Sequence, residues 1–334
     1  MMQRIPDDNT ILVVGGAGYI GSHMVKWLQR AGYTPVVADD LGNGRRDAVR
    51  DARLHVGDIG DTAFVDTLMR QVRPAAVMHF ASFIQVGESV ADPGRYYRNN
   101  LGATQVLLDG MRSHGITRFI FSSTAAIFGD PVYVPIDEMH QKQPINPYGR
   151  SKWMVEQMLE DYDRAYGLKS TCLRYFNAAG ADADGELGEC HEPETHLIPL
   201  LLQVASGRRP HITVYGDDYA TADGTCVRDY VHVEDLCSAH LLALEQLLGG
   251  GESGRYNLGN GNGFSVREVI EAVRRVTGRD IPVVQGARRA GDPPALVADA
   301  TRARALLQWT PRYPDLDTIV AHAWAWEQKH AANA

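Results

Sequence analysis

The chain of 334 residues is long enough for one large α/β domain, or for a domain with a sizeable annex, and it can bury a full core. Its composition, 44% hydrophobic and 22% charged, is that of an ordinary globular protein, and the net charge of −8 argues against a general binder of nucleic acids or anionic membranes. No stretch approaches about eighteen consecutive apolar residues, and residues 1–10 lack the features of a signal peptide. We therefore expect a cytoplasmic protein with no nucleic-acid or membrane partner.

The cysteines predict neither disulfides nor a metal centre. They show no Cys-x-x-Cys spacing and no matching histidines, which indicates reduced thiols and no bound metal. The four cysteines are Cys172, Cys190, Cys226 and Cys237.

The first thirty residues predict a strand, a tight glycine turn and a helix. The apolar run Ile11–Val14 leads into glycines at Gly15, Gly18 and Gly21, and apolar residues then recur at helical spacing. Such glycines let the backbone turn sharply, approach a pyrophosphate and pack the helix on the strand. The simpler alternative is that they serve only a tight turn.

A second apolar run indicates which dinucleotide would bind. Pro35–Ala38 leads to Asp39, eighteen residues after the last of these glycines. A carboxylate there accepts hydrogen bonds from the adenosine ribose and repels a 2′-phosphate, which favours NAD over NADP. Arg45 and Arg46 keep NADP open, and Asp39 with Asp40 could instead cap the next element.

Strands and helices then alternate without a break, which predicts an α/β fold with a doubly wound parallel sheet. Gly57-Asp58-Ile59 is expected beside the adenine, and the long helix 96–114 is expected to begin near Asn99-Asn100. The predicted strands are 54–56, 75–81, 118–124 and 170–175, and the predicted helices are 61–70, which Asp61 is expected to cap, 96–114 and 147–166.

A tyrosine and a lysine share one face of the helix that begins at Pro147. Tyr148 and Lys152 are four residues apart, so the ammonium can lie beside the phenol and favour its ionised form. Thr124, at the end of a predicted strand, would face the same crevice. The pair could remove a proton from an alcohol, although a Tyr/Lys spacing of four also occurs by chance, and Ser122 to Thr124 could simply satisfy the turn.

The second half is predicted to be a smaller C-terminal α/β domain. We expect a long surface loop over 177–196, a helix over 197–206, a helix capped by Asp235, and a capping box formed by Ser265 and Glu268 before a helix closed by Gly278. Further strands are expected at 256–258 and 281–284, and further helices near 299–308 and 315–330. The predicted domains are 1–175, for a dinucleotide, and 176–334, mainly for the substrate, with segments returning to the first.

Several motifs at their mutual spacing resemble the extended short-chain dehydrogenase/reductase family, and within it the sugar-nucleotide 4-epimerases. They are Gly-Gly-Ala-Gly-Tyr-Ile-Gly-Ser-His at 15–23, Val-Gly-Glu-Ser-Val at 86–90, Tyr-Tyr-Arg-Asn-Asn at 96–100, Asn-Pro-Tyr-Gly-Arg-Ser-Lys at 146–152, Arg-Tyr-Phe-Asn at 174–177 and Val-Arg-Asp-Tyr-Val-His-Val at 227–233. The resemblance covers nearly the whole chain and implies a Rossmann sheet with a smaller C-terminal substrate-binding domain.

The resemblance also implies an activity. It is the reversible inversion of C4 in a UDP-hexose, UDP-glucose or UDP-galactose, through a transient 4-keto sugar and a tightly bound NAD. The family commonly forms homodimers through two long helices per subunit, here 96–114 and 147–166. The expected protein is thus an isomerase whose partners are a UDP-sugar and a second copy of the chain.

The resemblance assigns roles to individual residues. The catalytic residues are Thr124, Tyr148 and Lys152. The cofactor-binding residues are Gly15, Gly18, Tyr19, Ile20, Gly21, Asp39, Asp40, Asp58, Ile59, Phe80, Ala81, Asn99, Ser122, Tyr148, Lys152 and Tyr175. The substrate-binding residues are Thr124, Tyr148, Asn177, His196, Leu197, Arg228, Arg289, Asp292 and Leu296.

Within the substrate group, Arg228 and Arg289 would hold the diphosphate and Asp292 the uridine ribose. The simpler interpretation of Arg289 is that it forms, with Arg288, a solvent-exposed pair on the surface. His196 would contact the substrate or, equally, cap the helix at 197.

The chain departs from the family pattern at three positions. Ile84 stands where many relatives have Lys, and Phe128 replaces a tyrosine before Gly129. Leu296 is intermediate between the large residue that goes with plain hexoses and the small one that admits N-acetylhexosamines. The alternatives are a UDP-N-acetylglucosamine 4-epimerase, a sugar-nucleotide 4,6-dehydratase and a non-catalytic NAD sensor.

Overall fold

The structure, a computed structural model, describes residues 9–289 and 292–331. The chain divides into two compact units. The first comprises residues up to Asp130 together with Gln141–Arg174 and Cys237–Tyr256, and the second comprises Pro131–His140, Tyr175–Leu236 and the residues from Asn257 onward. The division is close to the predicted change of role near residue 175, and the chain returns to the first unit for one helix and the strand after it.

The first unit is built on a seven-stranded sheet with the order β10-β6-β5-β4-β1-β2-β3. The pairs from β3 through β2, β1 and β4 to β5 are parallel. Its strands are β1 (Thr10–Val14), β2 (Thr34–Asp39), β3 (Arg53–Val56), β4 (Ala76–His79), β5 (Arg118–Thr124), β6 (Lys169–Tyr175) and β10 (Gly254–Leu258). This confirms the α/β fold class and the alternating parallel order.

Helices of the first unit follow from the amphipathic segments between these strands. Their apolar faces pack on the buried strands to form one core, which contains Leu12, Val77 and Phe121. They are α1 (Tyr19–Arg30), α2 (Thr62–Val72), α3 (Val86–Ala91), α4 (Pro93–Tyr96), α5 (Thr104–Ser113), α6 (Pro147–Tyr166) and α8 (Val233–Leu248), of which the last begins in the second unit. In the part of the chain that the structure describes, no helix has the length and apolar character needed to cross a bilayer.

The second unit has its own core, where α7, α9 and α11 pack together. Its helices are α7 (Leu197–Ala205), α9 (Val266–Thr277), α10 (Thr301–Leu306) and α11 (Leu316–Ala331). Its strands are β7 (Asn177–Ala179), β8 (Ile212–Tyr215), β9 (Val227–His232), β11 (Gly263–Ser265), β12 (Val283–Gly286) and β13 (Ala295–Leu296). Strand β9 is the centre, because β7, β11 and β13 all pair with it.

Two predicted helix caps are confirmed. The carboxylate of Asp61 accepts hydrogen bonds from the first turn of α2. Ser265 and Glu268 form both hydrogen bonds of a capping box at the start of α9, and Gly278 ends that helix in the left-handed conformation.

Three predictions of secondary structure are wrong in detail. The helix expected from Asn99 begins at Pro93, where Asp92 caps it, and it passes through a π-helical stretch, Tyr97–Ala103, before α5. The segment 177–196, expected to be a loop, begins with the short strand β7. This strand is defined by its pairing with β9, which is distant in sequence. Asp235 does not cap α8, which begins at Val233. Its carboxylate instead accepts the backbone N–H groups of residues 312 and 313 at 2.6 and 2.9 Å.

Candidate active site

The glycine turn after β1 leaves no room for side chains. Gly15 has a φ of +79°, and a Cβ there would lie 2.4 Å from the backbone nitrogen of Ala81, at the end of β4. A Cβ on Gly21 would lie 2.1 Å from the carbonyl oxygen of Gly15. These contacts are shorter than any van der Waals separation, so the two glycines are required by the packing of strand, turn and helix.

The turn presents an uncapped helix start. Gly18 is the N-cap of α1, it makes no side-chain capping bond, and the first turn carries no acidic residue. The N–H groups of a first helical turn and the positive end of the helix dipole favour an anion there. These features fit the pyrophosphate of a dinucleotide, with Tyr19 and Ile20 in the first turn.

Asp39 lies at the carboxyl end of β2 and is almost fully buried. Its carboxylate accepts the N–H of Ala17 at 2.9 Å and that of Leu41 at 2.9 Å. Burial raises the pKa of this carboxyl, while the two hydrogen bonds oppose the rise. Each oxygen keeps a second lone pair, so the carboxylate that orders the glycine turn can still accept a ribose hydroxyl.

Most of the other predicted cofactor residues lie at or just after the carboxyl ends of the sheet strands. Asp40 and Asp58 hold their own turns, through Gly42 N–H at 2.8 Å and Gly60 N–H at 2.7 Å. Ile59 is buried. Phe80 follows β4, and its ring centre lies 4.9 Å from that of His240 with the two rings tilted by 35°. Asn99 lies in the π-helical stretch, Ser122 in β5 and Tyr175 at the end of β6.

Lys152 is a buried charge at this edge, with 3% of the residue exposed. Its ammonium donates to Ser82 Oγ at 2.7 Å and to the carbonyl oxygen of Ser122 at 2.8 Å, and it lies 4.7 Å from the centre of the Phe121 ring. Burial lowers the pKa of Lys152 to about 7, and Glu156 opposes this effect. An ammonium has three N–H donors, so one is left for a ligand.

Tyr148 and Thr124 are brought together as predicted, by a hydrogen bond between their side chains. Thr124 Oγ1 also accepts the N–H of Ala126 at 3.1 Å, which fixes the hydroxyl at the end of β5. The sequence predicts that Lys152 lowers the pKa of Tyr148, but Lys152 is not among the groups that shift this pKa in the structure. Burial raises the pKa of Tyr148, and only the Thr124 hydrogen bond opposes it.

A buried ion pair lies one turn beyond Lys152, and the sequence interpretation missed it. Glu156 and Arg174 are fully buried and joined at 2.9 and 2.6 Å, and Ser123 Oγ donates to Glu156 at 2.6 Å. The available signal was the spacing of four between Lys152 and Glu156, which places both on one face of α6. The pair connects α6 to β5 and β6 and sets the charge environment of the lysine.

In the second unit, three predicted substrate residues lie together. Strands β9 and β13 pair in parallel and place Leu296 opposite Arg228. The Arg228 guanidinium donates to the carbonyl oxygens of Val227 and Pro293, both at 2.9 Å, and lies 3.7 Å from Asp292. A mostly buried arginine held by carbonyls in this way is fixed in position for an anionic ligand.

The remaining predicted substrate residues are more scattered. Asn177 starts β7 and hydrogen-bonds with its side chain to Tyr230 of β9. Arg289 is exposed, and its guanidinium lies 4.0 Å from the centre of the Tyr215 ring, whereas Arg288 pairs with Asp218. The two arginines therefore have different partners.

His196 occupies the N-cap position of α7 but makes no side-chain capping bond, so the capping alternative is wrong. Its Nδ1 lies 2.8 Å from Glu189 and 2.9 Å from Glu194. These carboxylates, Glu189 above all, raise the pKa of His196 to about 10 against the opposing effect of burial. Leu197 follows in the first turn of α7 and packs on the second core.

Comparison with known proteins decides the family. The model of the NAD-dependent epimerase/dehydratase family matches residues 11–259. The chain belongs to this family. A curated UDP-glucose 4-epimerase of Rhizobium leguminosarum bv. trifolii is 52% identical over 320 residues, covering 96% of this chain and 98% of the relative.

Solved structures of family members agree with the fold. The UDP-glucose 4-epimerase from Brucella ovis in complex with NAD is 53% identical, with a TM-score of 0.93 over 95% of this chain and 97% of that one. The UDP-glucose 4-epimerase from Bifidobacterium longum in complex with NAD⁺ and UDP is 38% identical, with a TM-score of 0.91 over 96% and 98% of the two chains. As a member of an NAD-dependent family, the chain takes NAD, which the glycine turn and the uncapped start of α1 fit.

Gly21→Ala should destabilise this epimerase/dehydratase far more than Gly18→Ala. The Gly21 methyl would lie 2.1 Å from backbone, whereas a methyl on Gly18 would meet only the Gly15 oxygen, at an ordinary 3.4 Å. We expect a loss of about 1–3 kcal/mol for Gly21→Ala and little change for Gly18→Ala, measured by urea denaturation. The NAD content of the folded Gly18→Ala protein should fall, because the middle glycine is where the backbone approaches the pyrophosphate. Equal stability of the two variants would contradict the packing argument.

Glu156→Ala should cost about 3–5 kcal/mol of unfolding free energy, because it leaves the Arg174 charge buried without its carboxylate. Glu160→Ala is the matched control one turn later on α6. Glu160 is 42% exposed and pairs with Arg164 and Arg255, so its loss should cost less than about 1 kcal/mol. Similar losses for the two variants, measured by denaturant titration, would show that burial of the Glu156 pair is not what stabilises this part of α6.

Proposed function

We propose that this protein interconverts UDP-glucose and UDP-galactose by inverting C4 of the hexose. The observation that carries the proposal is the hydrogen-bonded Tyr148–Thr124 pair, with the anchored Lys152 one turn after Tyr148 on the same helix. It lies at the carboxyl edge of a dinucleotide-binding sheet, in a chain that matches UDP-glucose 4-epimerases at about half identity over nearly its whole length. Intact catalytic constellations of this kind favour an enzyme over a protein that only senses NAD.

The first unit supplies the chemistry in this proposal. Tyr148 takes the proton from the 4-hydroxyl of the sugar and later returns one, while the Thr124 hydroxyl shares a hydrogen bond with the same oxygen. Bound NAD⁺ supplies the oxidising power, since it accepts the hydride of C4 and gives it back. Loss of proton and hydride leaves a 4-keto sugar, and hydride return to the opposite face inverts C4.

Lys152 has a positioning role in the proposal. Two of its N–H groups are held by Ser82 and Ser122, and the third would bind a hydroxyl of the nicotinamide ribose. Since burial raises the pKa of Tyr148 in the chain alone, formation of the phenolate requires added positive charge. A bound oxidised nicotinamide would supply that charge, so the basicity of Tyr148 would depend on the presence of the oxidised cofactor.

The second unit recognises the nucleotide in this proposal. Arg228 and Arg289 bind the diphosphate, Asn177, His196 and Leu197 contribute to the sugar-nucleotide site, and Asp292 binds the uridine ribose. The carbonyl-held guanidinium of Arg228 supports its assignment, as does the exposed guanidinium of Arg289. Because these residues bind the diphosphate and the uridine and not the hexose, the keto sugar can rotate in the pocket and present its opposite face.

A 4,6-dehydratase is the second candidate, and the residues after Thr124 argue against it. Elimination needs an added acid and base beside the hydroxyl residue. Ala125 and Ala126 occupy those positions and offer neither. Incubation with UDP-galactose separates the two activities, because an epimerase forms UDP-glucose and a dehydratase accumulates a keto sugar.

We further propose a cytoplasmic homodimer that acts in galactose metabolism. All four cysteines are free thiols, which is compatible with a reducing compartment. The dimer would use the faces of α5 and α6 with their neighbours, and exposed apolar side chains on α3 and α6, namely Val90, Met154 and Tyr166, support this choice.

Tyr148→Phe should lower kcat by about 10²–10⁴, because it removes the group that transfers the proton. Binding of UDP-glucose, measured by calorimetry, should change little. Tyr166→Phe is the matched control, since it removes a phenol oxygen from the half-exposed end of the same helix. Near-normal turnover of Tyr148→Phe would refute the assignment.

UDP-galactose should be preferred to UDP-N-acetylgalactosamine by at least about tenfold in kcat/KM, because Leu296 is too large for an N-acetyl group at C2. Leu296→Ser should reduce the ratio of the two kcat/KM values, because the smaller side chain makes room for the N-acetyl group. Leu306→Ser, at a side chain that is 56% exposed, should leave it unchanged. Equal kcat/KM values for the two substrates in the wild-type protein would show that Leu296 does not exclude the N-acetyl group.

A further inference from the structure

A cluster of two carboxylates and two imidazoles lies in the segment before α7, within the second unit. We call it the Glu/His cluster. Its members are Glu189, His191, Glu194 and His196, and one donor atom from each lies within 4.8 Å of all the others. The proposed function uses only His196 of this set, so the convergence of the other three side chains calls for a separate explanation.

The donor atoms have nearly the separations of a four-coordinate metal site. Glu189 Oε1 lies 2.8 Å from Nδ1 of His196 and 3.0 Å from Nδ1 of His191. Glu194 contributes one oxygen 2.9 Å from His196 and the other 4.0 Å from His191. In a tetrahedral site with bonds of about 2.0–2.2 Å, neighbouring ligand atoms are about 3.3–3.6 Å apart. The observed range spans that value, so small side-chain movements suffice to complete the geometry.

The charge of the cluster also accommodates a divalent cation. Both carboxylates have only 6% of their side chains exposed. In the described ranges, 9–289 and 292–331, neither has a lysine or arginine within 4.0 Å, and their ion-pair partners are the two imidazoles. Buried carboxylates require a paired cation or a metal. Two glutamates with neutral histidines balance one divalent ion.

The backbone that carries the cluster is held from outside it. Trp326 of α11 donates its indole N–H to the carbonyl oxygen of Glu189 at 3.2 Å. A Cβ on Gly188 would lie 2.3 Å from the same indole, so the chain packs directly on that ring. Lys329 of α11 donates to the carbonyl oxygen of Gly185 at 2.8 Å. The ligands therefore stand on a positioned segment, as a metal site requires.

We propose that the Glu/His cluster binds one divalent transition-metal ion of the zinc class. Imidazole nitrogens with carboxylate oxygens are a ligand set for zinc, whereas calcium and magnesium take oxygen ligands almost exclusively. Four protein ligands close the coordination shell, so the role is structural. The ion would link the segment 189–194 to His196, the residue just before α7. Because His196 ligates through Nδ1, its Nε2 stays available for other contacts.

The absence of cysteine motifs led the sequence interpretation to predict no metal, but this site contains no thiolate. Its pattern is Glu-x-His-x-x-Glu-x-His over 189–196. A second acidic group in the same segment, Asp182, Asp184 and Glu186, contains no imidazole, and two of its three residues are exposed. Substitutions in that group therefore serve as the control for substitutions in the Glu/His cluster.

The test uses the purified, untagged, NAD-containing protein after removal of metal by a chelator and dialysis. Zn²⁺ is titrated by calorimetry, and Co²⁺ is titrated while the visible absorption typical of four-coordinate cobalt is recorded. We expect one ion per chain and a thermal midpoint that rises with Zn²⁺. His191→Ala, at a partly exposed side chain, should weaken Zn²⁺ affinity by at least about tenfold, as should Glu189→Gln. The double variant Asp184→Asn/Glu186→Gln should bind like the wild type.

Three outcomes would overturn the proposal. They are the absence of saturable Zn²⁺ binding to the wild-type protein, equal affinity in wild type and His191→Ala, and loss of binding in the Asp184→Asn/Glu186→Gln control. The first would leave the cluster as an ion-pair network of two imidazoliums and two carboxylates. Because every readout is metal binding or thermal stability, failure of this proposal is distinguishable from failure of the proposed epimerase activity.

Discussion

The buried ammonium of Lys152 is the constraint on which the catalytic edge depends. A charge withdrawn from water must be compensated by fixed partners, and here these are a serine hydroxyl, a strand-end carbonyl and the face of Phe121. The carboxylate of Glu156 lies one turn further along the same helix and is itself neutralised by Arg174. The helix that carries Tyr148 is thereby tied to the ends of two central strands. Proton transfer by that tyrosine requires a helix position this well determined, since small displacements cost catalytic rate.

The parallel sheet explains why residues distant in sequence meet at this edge. Every parallel strand ends at the same side, so the glycine turn after β1, Asp39 at the end of β2, Ala81 after β4 and Thr124 at the end of β5 all converge there. The packing is tight enough that Gly15 nearly touches the end of β4. Asp39 has two roles in this arrangement, because the carboxylate assigned to a ribose also accepts the N–H of Ala17 in the glycine turn.

The second unit uses different means to fix its polar side chains. Strand β9 is surrounded by three short strands, and the resulting pairs set Asn177 beside Tyr230 and Leu296 opposite Arg228. Short strands bury little surface by themselves, so their positions depend on the helices of the second core and on individual hydrogen bonds. The Glu/His cluster brings one donor atom from each of four titratable side chains within 4.8 Å of the others. It lies on the segment that leads into α7, where our metal-site proposal places a structural ion.

Local pattern by itself determined the glycine turn, the alternation of the first strands with helices, the Asp61 cap, the Ser265 capping box and the shared face of Tyr148 and Lys152. Each depends on residues close in sequence, whose backbone geometry follows from spacing and side-chain type. Only the tertiary structure decided the partners of Lys152, the pairing of β7 with β9, the binding of Asp235 to residues 312 and 313, and the convergence of Glu189 with His196. The physical reason is that short strands and buried polar groups are stabilised by partners chosen through packing. Ser82 is seventy residues from Lys152, and no periodicity in the sequence links the two.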